Sequence, residues 1–138
     1  MQLTVEQRGH VHIVRVKEAK LTYPILSSFF EAVRQVVEGG ADRMLIDLEE
    51  VSFVDSASIG CLVDIHWLLR ERGGVLKLCR AQPRVATMLT MTGVPRAVEM
   101  HHDEAEALAA FRDRTGDAER VTTGAQGLPS GAGRPRPD

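Results

Sequence analysis

At 138 residues, with a formal net charge of -2, a sequence pI of about 6.2 and 43% hydrophobic residues, the chain has the size and composition of one globular domain with its own core. That charge balance excludes a general affinity for DNA, RNA or acidic membranes. No apolar run approaches the roughly 20 residues that span a bilayer, and the opening MQLTVEQRGHVHIV has no basic segment followed by an apolar run, so a cytoplasmic protein without membrane insertion or a nucleic-acid partner is expected.

The first residues alternate. Leu3 and Val5, a turn signal at Arg8-Gly9, then Val11, Ile13, Val14 and Val16 read as a two-stranded hairpin. From Pro24 to Glu38 the apolar residues Ile25, Leu26, Phe29, Phe30, Val33, Val36 and Val37 recur at three and four, which predicts an amphipathic helix begun near Pro24 and ended by Gly39-Gly40. MLIDL, from Met44, reads as a buried strand. Glu49-Glu50 breaks its regularity, and VSFV is expected to bring the chain back to the edge of the sheet. Ala57 to Arg72 follows as a second helix closed by Gly73-Gly74, and VLKLC, Val75 to Cys79, as a further strand. Strand, helix and strand with short joins form a βαβ unit whose strands should be parallel neighbours.

The same rhythm continues with a short helix from Gln82 to Thr92, a short strand from Val98 to Met100, and a helix from Glu104 to Phe111 with Ala105, Leu108 and Phe111 on one stripe. Beyond about residue 114 the composition turns to Gly and Pro (GAQGLPSGAGRPRPD). Such a segment buries too little surface to offset a backbone entropy of about 1–2 kcal/mol per residue, so residues 115–138 are expected to be a disordered tail. The expected fold is α/β: a single domain over residues 1–114, with a mixed sheet of about five strands packed by about four helices.

Chemistry concentrates in VSFVDSASIGCL, Val51 to Leu62, where a β-branched run meets Asp55-Ser56-Ala57-Ser58 and a helical run begins at once. A serine nucleophile would want Gly-x-Ser-x-Gly, which is missing, and His66 lies about 15 Å along the same helix at ~1.5 Å per residue, on a stripe of packing residues. A phosphate cradle would want GxxxxGK[ST] or GxGxxG, whereas Gly60 is alone. His10 and His12, read on one face of a strand, and His101-His102 lack the cysteines or carboxylates of a metal site, and Cys61 and Cys79 sit inside apolar runs as small buried hydrophobes. No enzyme, metal or cofactor is expected.

What remains is a helix cap that can also be modified. Either Asp55 or Ser56 can accept a bond from an orphan N–H of the helix, and that needs no function. The same place suits a phosphoserine, because free amides and the helix dipole tolerate about -1.5 to -2 added charges there without unfolding the domain. The helix that follows is expected to bury Ile59, Leu62, Val63, His66 and Leu69 and to turn Gly60, Asp64, Trp67, Leu68 and Glu71 the other way. Trp67 reads equally as an interface anchor or as a residue packed under a neighbouring helix.

LIDLEEVSFVDSASIGCLVDI resembles the signature of STAS domains, the sulphate transporter and anti-sigma factor antagonist fold, usually written DLxxVxxxDSSGLGxLL. The order of elements from Leu3 to Phe111 is similar too. The resemblance implies a partner switch: an anti-sigma factor with serine kinase activity binds the unphosphorylated antagonist and frees a sigma factor. Phosphorylation of the serine after the motif aspartate ends the interaction, and a serine phosphatase reverses it. It implies Asp55 as the aspartate, Ser56 as the phosphorylated residue, Asp47 as the aspartate that opens the motif and Gly60 as its second glycine; together with Ser58, the second hydroxyl, and with Asp64 and Trp67 from the outward side of the helix, Asp55, Ser56 and Gly60 make up the expected switch and partner surface. The sequence departs from the pattern at Ala57, at Ser58, which offers a second hydroxyl in place of a glycine, and at Thr22, where an aspartate is usual. The rival implication is a STAS domain that never switches and serves as a structural subunit of a transporter or signalling assembly.

Overall fold

A computed structural model describes residues 1–112. The tail expected over 115–138, and the domain boundary near 114, lie outside the described residues. Met1–Ala107 form one compact unit; of the unit that begins at Leu108, the described residues 108–112 are helical.

The chain runs β1 (Leu3–Arg8), β2 (Val11–Val16), β3 (Lys20–Leu21), α1 (Tyr23–Glu38), β4 (Arg43–Asp47), β5 (Phe53–Val54), α2 (Ser56–Arg70), β6 (Val75–Cys79), α3 (Pro83–Met91), a 3-10 turn (Val94–Arg96) and β7 (Glu99–His101), with residues 104–112 helical. Five strands form one mixed sheet in the order β1-β2-β4-β6-β7. The β1–β2 hairpin is antiparallel, and β2–β4, β4–β6 and β6–β7 are parallel. The expected α/β fold, with its five strands and four helices, is what the chain adopts, and β4, α2 and β6 make the βαβ unit.

Alternation along the strands separates the two sheet faces. Val14, Val16, Met44, Ile46, Leu76 and Leu78 join Phe29, Val33 and Val37 of α1 and Leu62, Ile65 and Leu69 of α2 in one core. Each such side chain contributes about 1.5–3 kcal/mol by leaving water. The opposite face carries Arg15, Asp47 and Lys77 among its apolar residues, all three in ion pairs.

Four expectations change. VSFV does not return to the main sheet: Phe53–Val54 pairs in parallel with Lys20–Leu21 as a separate two-stranded sheet, tied by the Ser52 and Phe53 amides donating to the Ala19 carbonyl at 2.8 and 3.1 Å. Strands of two residues are too short to show a period. α2 buries Cys61 and Ile65 in addition to Ile59, Leu62, His66 and Leu69, while Val63 is only half-buried, because this helix packs against both α1 and the sheet over a wide arc. In the last helix Ala105 is exposed, and Ala107 and Phe111 are the buried positions. His10 lies in the hairpin turn, so it shares no strand face with His12.

Candidate functional site

The Asp55 junction forms where β5 stops and α2 starts. Asp55 has extended backbone angles (φ -114°, ψ 176°) and is the N-cap of α2. Its Oδ1 accepts the Ser58 amide at 2.8 Å, and Ser58 Oγ accepts the Asp55 amide at 3.0 Å while donating to the Asp55 carbonyl at 2.8 Å. This is a capping box in which serine replaces the usual Glu or Gln at the third helical position. The second carboxylate oxygen reaches across to α1: Oδ2 accepts the Tyr23 amide at 2.9 Å. Thr22, the N-cap of α1, makes no side-chain cap bond, so Asp55 supplies what that helix start lacks. One carboxylate therefore ties two helix N-termini together. The Tyr23 and Ser58 amides hold its carboxyl below the ordinary range.

The two serines take opposite roles. Ser58 is fully buried and its hydroxyl is consumed by the box, whereas Ser56, the first residue of α2, is exposed and enters none of those bonds. The expectation that Ser58 stands on the accessible surface as a second phosphoacceptor thus meets a buried side chain, since capping turns it inward. The other expected residues do come together. Ser56, Gly60, Asp64 and Trp67 are all exposed and follow one another at four, four and three residues, a single stripe of α2. Trp67 is 56% exposed, with the His66 ring edge-on at 4.8 Å, so it is not packed under a neighbour; Leu68 is the residue that turns partly inward.

Beside this stripe runs an open groove of about 520 Å³ between α1 and α2, walled by Pro24, Leu26 and Phe30 on one side and Ala57, Gly60 and Asp64 on the other. Gly60 explains part of its width. A Cβ built there meets nothing within 4 Å, and its φ is not in the left-handed region, so neither packing nor backbone requires glycine. Glycine inside a helix costs roughly 0.5–1 kcal/mol relative to alanine, and what it leaves behind is room in the groove.

Burial governs both thiols and His66. Burial, with Asp64 adding to it, pushes the Cys61 thiol up to about 11, and burial pushes Cys79 up to about 12. Burial lowers His66, whose Nδ1 finds no hydrogen-bond partner among the described residues. Among the described residues no three His, Cys, Asp or Glu side chains gather as a metal-holding group.

Sequence reasoning missed the partners of Asp47. This side chain, 3% exposed at the end of β4, accepts Arg15 Nη1 at 2.7 Å, Arg80 Nη2 at 2.6 Å and Nε at 3.2 Å, and the Glu49 amide at 3.0 Å. Burial raises its carboxyl, but Arg80, the Glu49 amide and Arg15 together bring it below the ordinary range. Arg80 adopts a left-handed φ of 59°, a strained choice for a residue with a side chain, and that conformation accompanies the two-pronged grip on Asp47.

The STAS domain family model matches residues 2–107. The chain is 25% identical over 67 residues to the anti-sigma F factor antagonist of Paenibacillus polymyxa, a match covering 49% of this chain and 57% of that relative, so the likeness spans little more than half of the relative's length. An anti-sigma-factor antagonist (STAS) domain protein from Planctomyces limnophilus superposes with a TM-score of 0.73 at 24% identity, over 80% of this chain and 97% of the other. The murine Solute Carrier 26 family member A9 anion transporter matches with a TM-score of 0.67 at 18% identity, over 78% of this chain and 18% of that one. At these identities the two structures speak for the fold alone. With the family match over most of its length and the Asp55 junction in place, the chain belongs to the STAS domain family.

Proposed function

We propose that this chain is a cytoplasmic anti-sigma factor antagonist that binds an anti-sigma factor serine kinase, releases a sigma factor, and is switched off by phosphorylation of Ser56. The observation that carries the reading is the division of labour between the two serines. Ser56 offers a free hydroxyl at the start of α2, and Ser58 holds the cap that keeps that start in shape. The partner kinase supplies ATP and the base; Ser56 Oγ attacks the γ-phosphorus, ADP leaves, and the serine proton goes to the kinase base. The phosphate adds about -1.5 to -2 charges beside the Asp55 carboxylate, which is satisfied only by neutral groups and keeps its own negative charge. The groove and its Asp64 lie along the same stripe, so a surface that already carries two carboxylates becomes strongly anionic and rejects a contact that tolerated them. A serine phosphatase restores it. The groove opened at Gly60 supports the α2 stripe, with Asp64 and Trp67, as the contact surface.

Mass spectrometry after incubation with the cognate anti-sigma kinase and ATP is expected to find the phosphate on Ser56. In a binding titration Ser56→Ala should stay associated in the presence of ATP, and Ser56→Glu should bind at least about tenfold more weakly, some 1.4 kcal/mol. Phosphate on Ser58 alone would overturn the assignment. No phosphorylation, with equal affinity for all three forms, would favour the non-switching structural subunit. Among the described residues no helix is long and apolar enough to cross a membrane, so that subunit would dock on a transporter or signalling assembly through this part of the chain without spanning the bilayer here.

A further inference from the structure

β1 lies at one end of the sheet order, and its six residues ladder with β2 without a bulge, from Leu3↔Val16 to Arg8↔Val11. The hairpin fixes which way each backbone group points. Gly9 has a φ of 60° and His10 an ordinary one, as in a II′ turn, so the closing Arg8–Val11 pair exchanges hydrogen bonds. The Lys17 amide donates to the Gln2 carbonyl at 2.9 Å, on the same parity. Gln2, Thr4, Glu6 and Arg8 therefore turn their backbone groups toward β2. Leu3, Val5 and Gln7 turn theirs outward, where no described group meets them.

A long bare edge is a template for another strand, and proteins usually guard one with proline, lysine, a bulge or a cover. β1 has no proline, lysine or bulge. Its two charges are already engaged within the chain, Glu6 with Arg15 at 2.9 Å and Arg8 with Glu104 at 3.1 Å. Val5, 42% exposed, is among the few large apolar side chains left on the surface.

We propose that β1 is the edge along which a second copy of this chain pairs, antiparallel, with the twofold axis at Val5. The outward groups are symmetric about that residue: Leu3 faces Gln7 of the second copy, Val5 faces Val5, and Gln7 faces Leu3. About six backbone hydrogen bonds form, since each such pair exchanges two except where it would need an inward group. Thr4 then lies opposite Glu6, and Gln2 opposite Arg8, so no like charges face each other. The two Val5 side chains cover one another on the face shared with Val14, its cross-strand neighbour in β2. The two five-stranded sheets become one continuous sheet, and this surface is separate from the Ser56 stripe on α2.

Sedimentation velocity on the full chain from about 1 µM to about 1 mM, the span of weak association, should show a monomer–dimer equilibrium. Val5→Pro removes one outward N–H and none of the β2 ladder, and should weaken the dimer at least about tenfold. Val5→Lys, which places two ammonium groups on the axis, should do the same and covers the case in which the proline variant fails to fold. Met91→Ser, at an exposed residue on α3, should leave association unchanged. Amide exchange at high concentration should slow at Leu3, Val5 and Gln7 relative to dilute protein, an alternating pattern that pairing elsewhere would not produce. A monomer at every concentration, a dimer that survives both Val5 variants, or concentration-dependent protection confined to other elements would each overturn the proposal.

Discussion

Asp47 and Asp55 stand at equivalent places, one as the last residue of β4 and the other just past the end of β5, yet their surroundings make them opposites. Asp47 is buried between two guanidiniums, so its charge is neutralised where it sits and nothing outside the molecule can reach it. Asp55 is satisfied by the neutral amides of Ser58 and Tyr23, which fix its position without cancelling its charge. A carboxylate met by cations closes a structure, whereas one met by amides at a helix start positions that structure and leaves the local field negative. The difference separates an anchor of the sheet from the seat of the proposed switch.

Removal of the Asp47 anchor should have the largest effect. Asp47→Ala should destabilise the domain by about 2–3 kcal/mol in urea unfolding, because Arg80 loses its two-pronged partner and Arg15, mostly buried, is left with Glu6 and Glu104 alone. The acid side tests the same point. The Asp47 carboxyl is held below its ordinary 3.8 in the folded chain, so as pH falls the unfolded chain takes up this proton first. The stabilisation is fully present above the unfolded value and is lost as pH drops through the lower folded one. Asp47→Ala should therefore show a flatter loss of stability below about pH 4 than the parent chain. An unchanged acid limb would mean that Asp47 is no anchor.

Next come the residues of the joint. Asp55→Ala removes a cap of α2 and the acceptor of the Tyr23 amide together, and should cost about 2 kcal/mol, near the top of the range for N-caps. Ser58→Ala breaks only the reciprocal half of the capping box and should cost about 1 kcal/mol. Ser56→Ala, exposed and outside the box, should fall within about 0.5 kcal/mol of the parent chain. That order, measured by urea or thermal unfolding, separates the structural serine from the one available for modification. If Ser56→Ala proved the costlier of the two serine changes, the division of roles would be reversed.

Periodicity made most of the fold legible. α1, α2, the hairpin and the central strands carry enough residues for a period of two or three to four to show, and the βαβ order followed from them. The β3–β5 pair was not legible, because two residues carry no period and the pairing joins Lys20 to Phe53 across intervening α1 and β4. At the site, DSAS at a strand-to-helix junction was enough to mark a cap at Asp55 or Ser56 and to place Gly60, Asp64 and Trp67 on the outward side of the helix that follows, whereas the helix already begins at Ser56. The inward turn of Ser58 was not legible, since either Asp55 or Ser56 could have been the cap, and shifting the cap by one residue rotates the next side chains by about 100°. The guanidiniums of Asp47 were hidden for a plainer reason: Arg15 and Arg80 lie 32 and 33 residues away in sequence, and only the β2–β4–β6 register brings them to one carboxylate.

The smallest expected effect is the most discriminating, because it carries opposite signs in two measurements. Gly60 sits inside α2 with ordinary backbone angles and open space where a Cβ would go. Gly60→Ala should therefore stabilise the isolated domain by about 0.5–1 kcal/mol, through the lower entropy of its unfolded chain and the better helix propensity of alanine. If the groove between α1 and α2 receives a partner, the added methyl group intrudes on the space that the glycine left, and affinity for that partner should fall while thermal stability rises. A residue kept for the fold would lower both or leave both alone. A stability gain with affinity unchanged would move the contact surface away from the groove wall, toward Trp67 and the far end of the stripe, and would leave the Asp55 joint as the only part of this region tied to the switch.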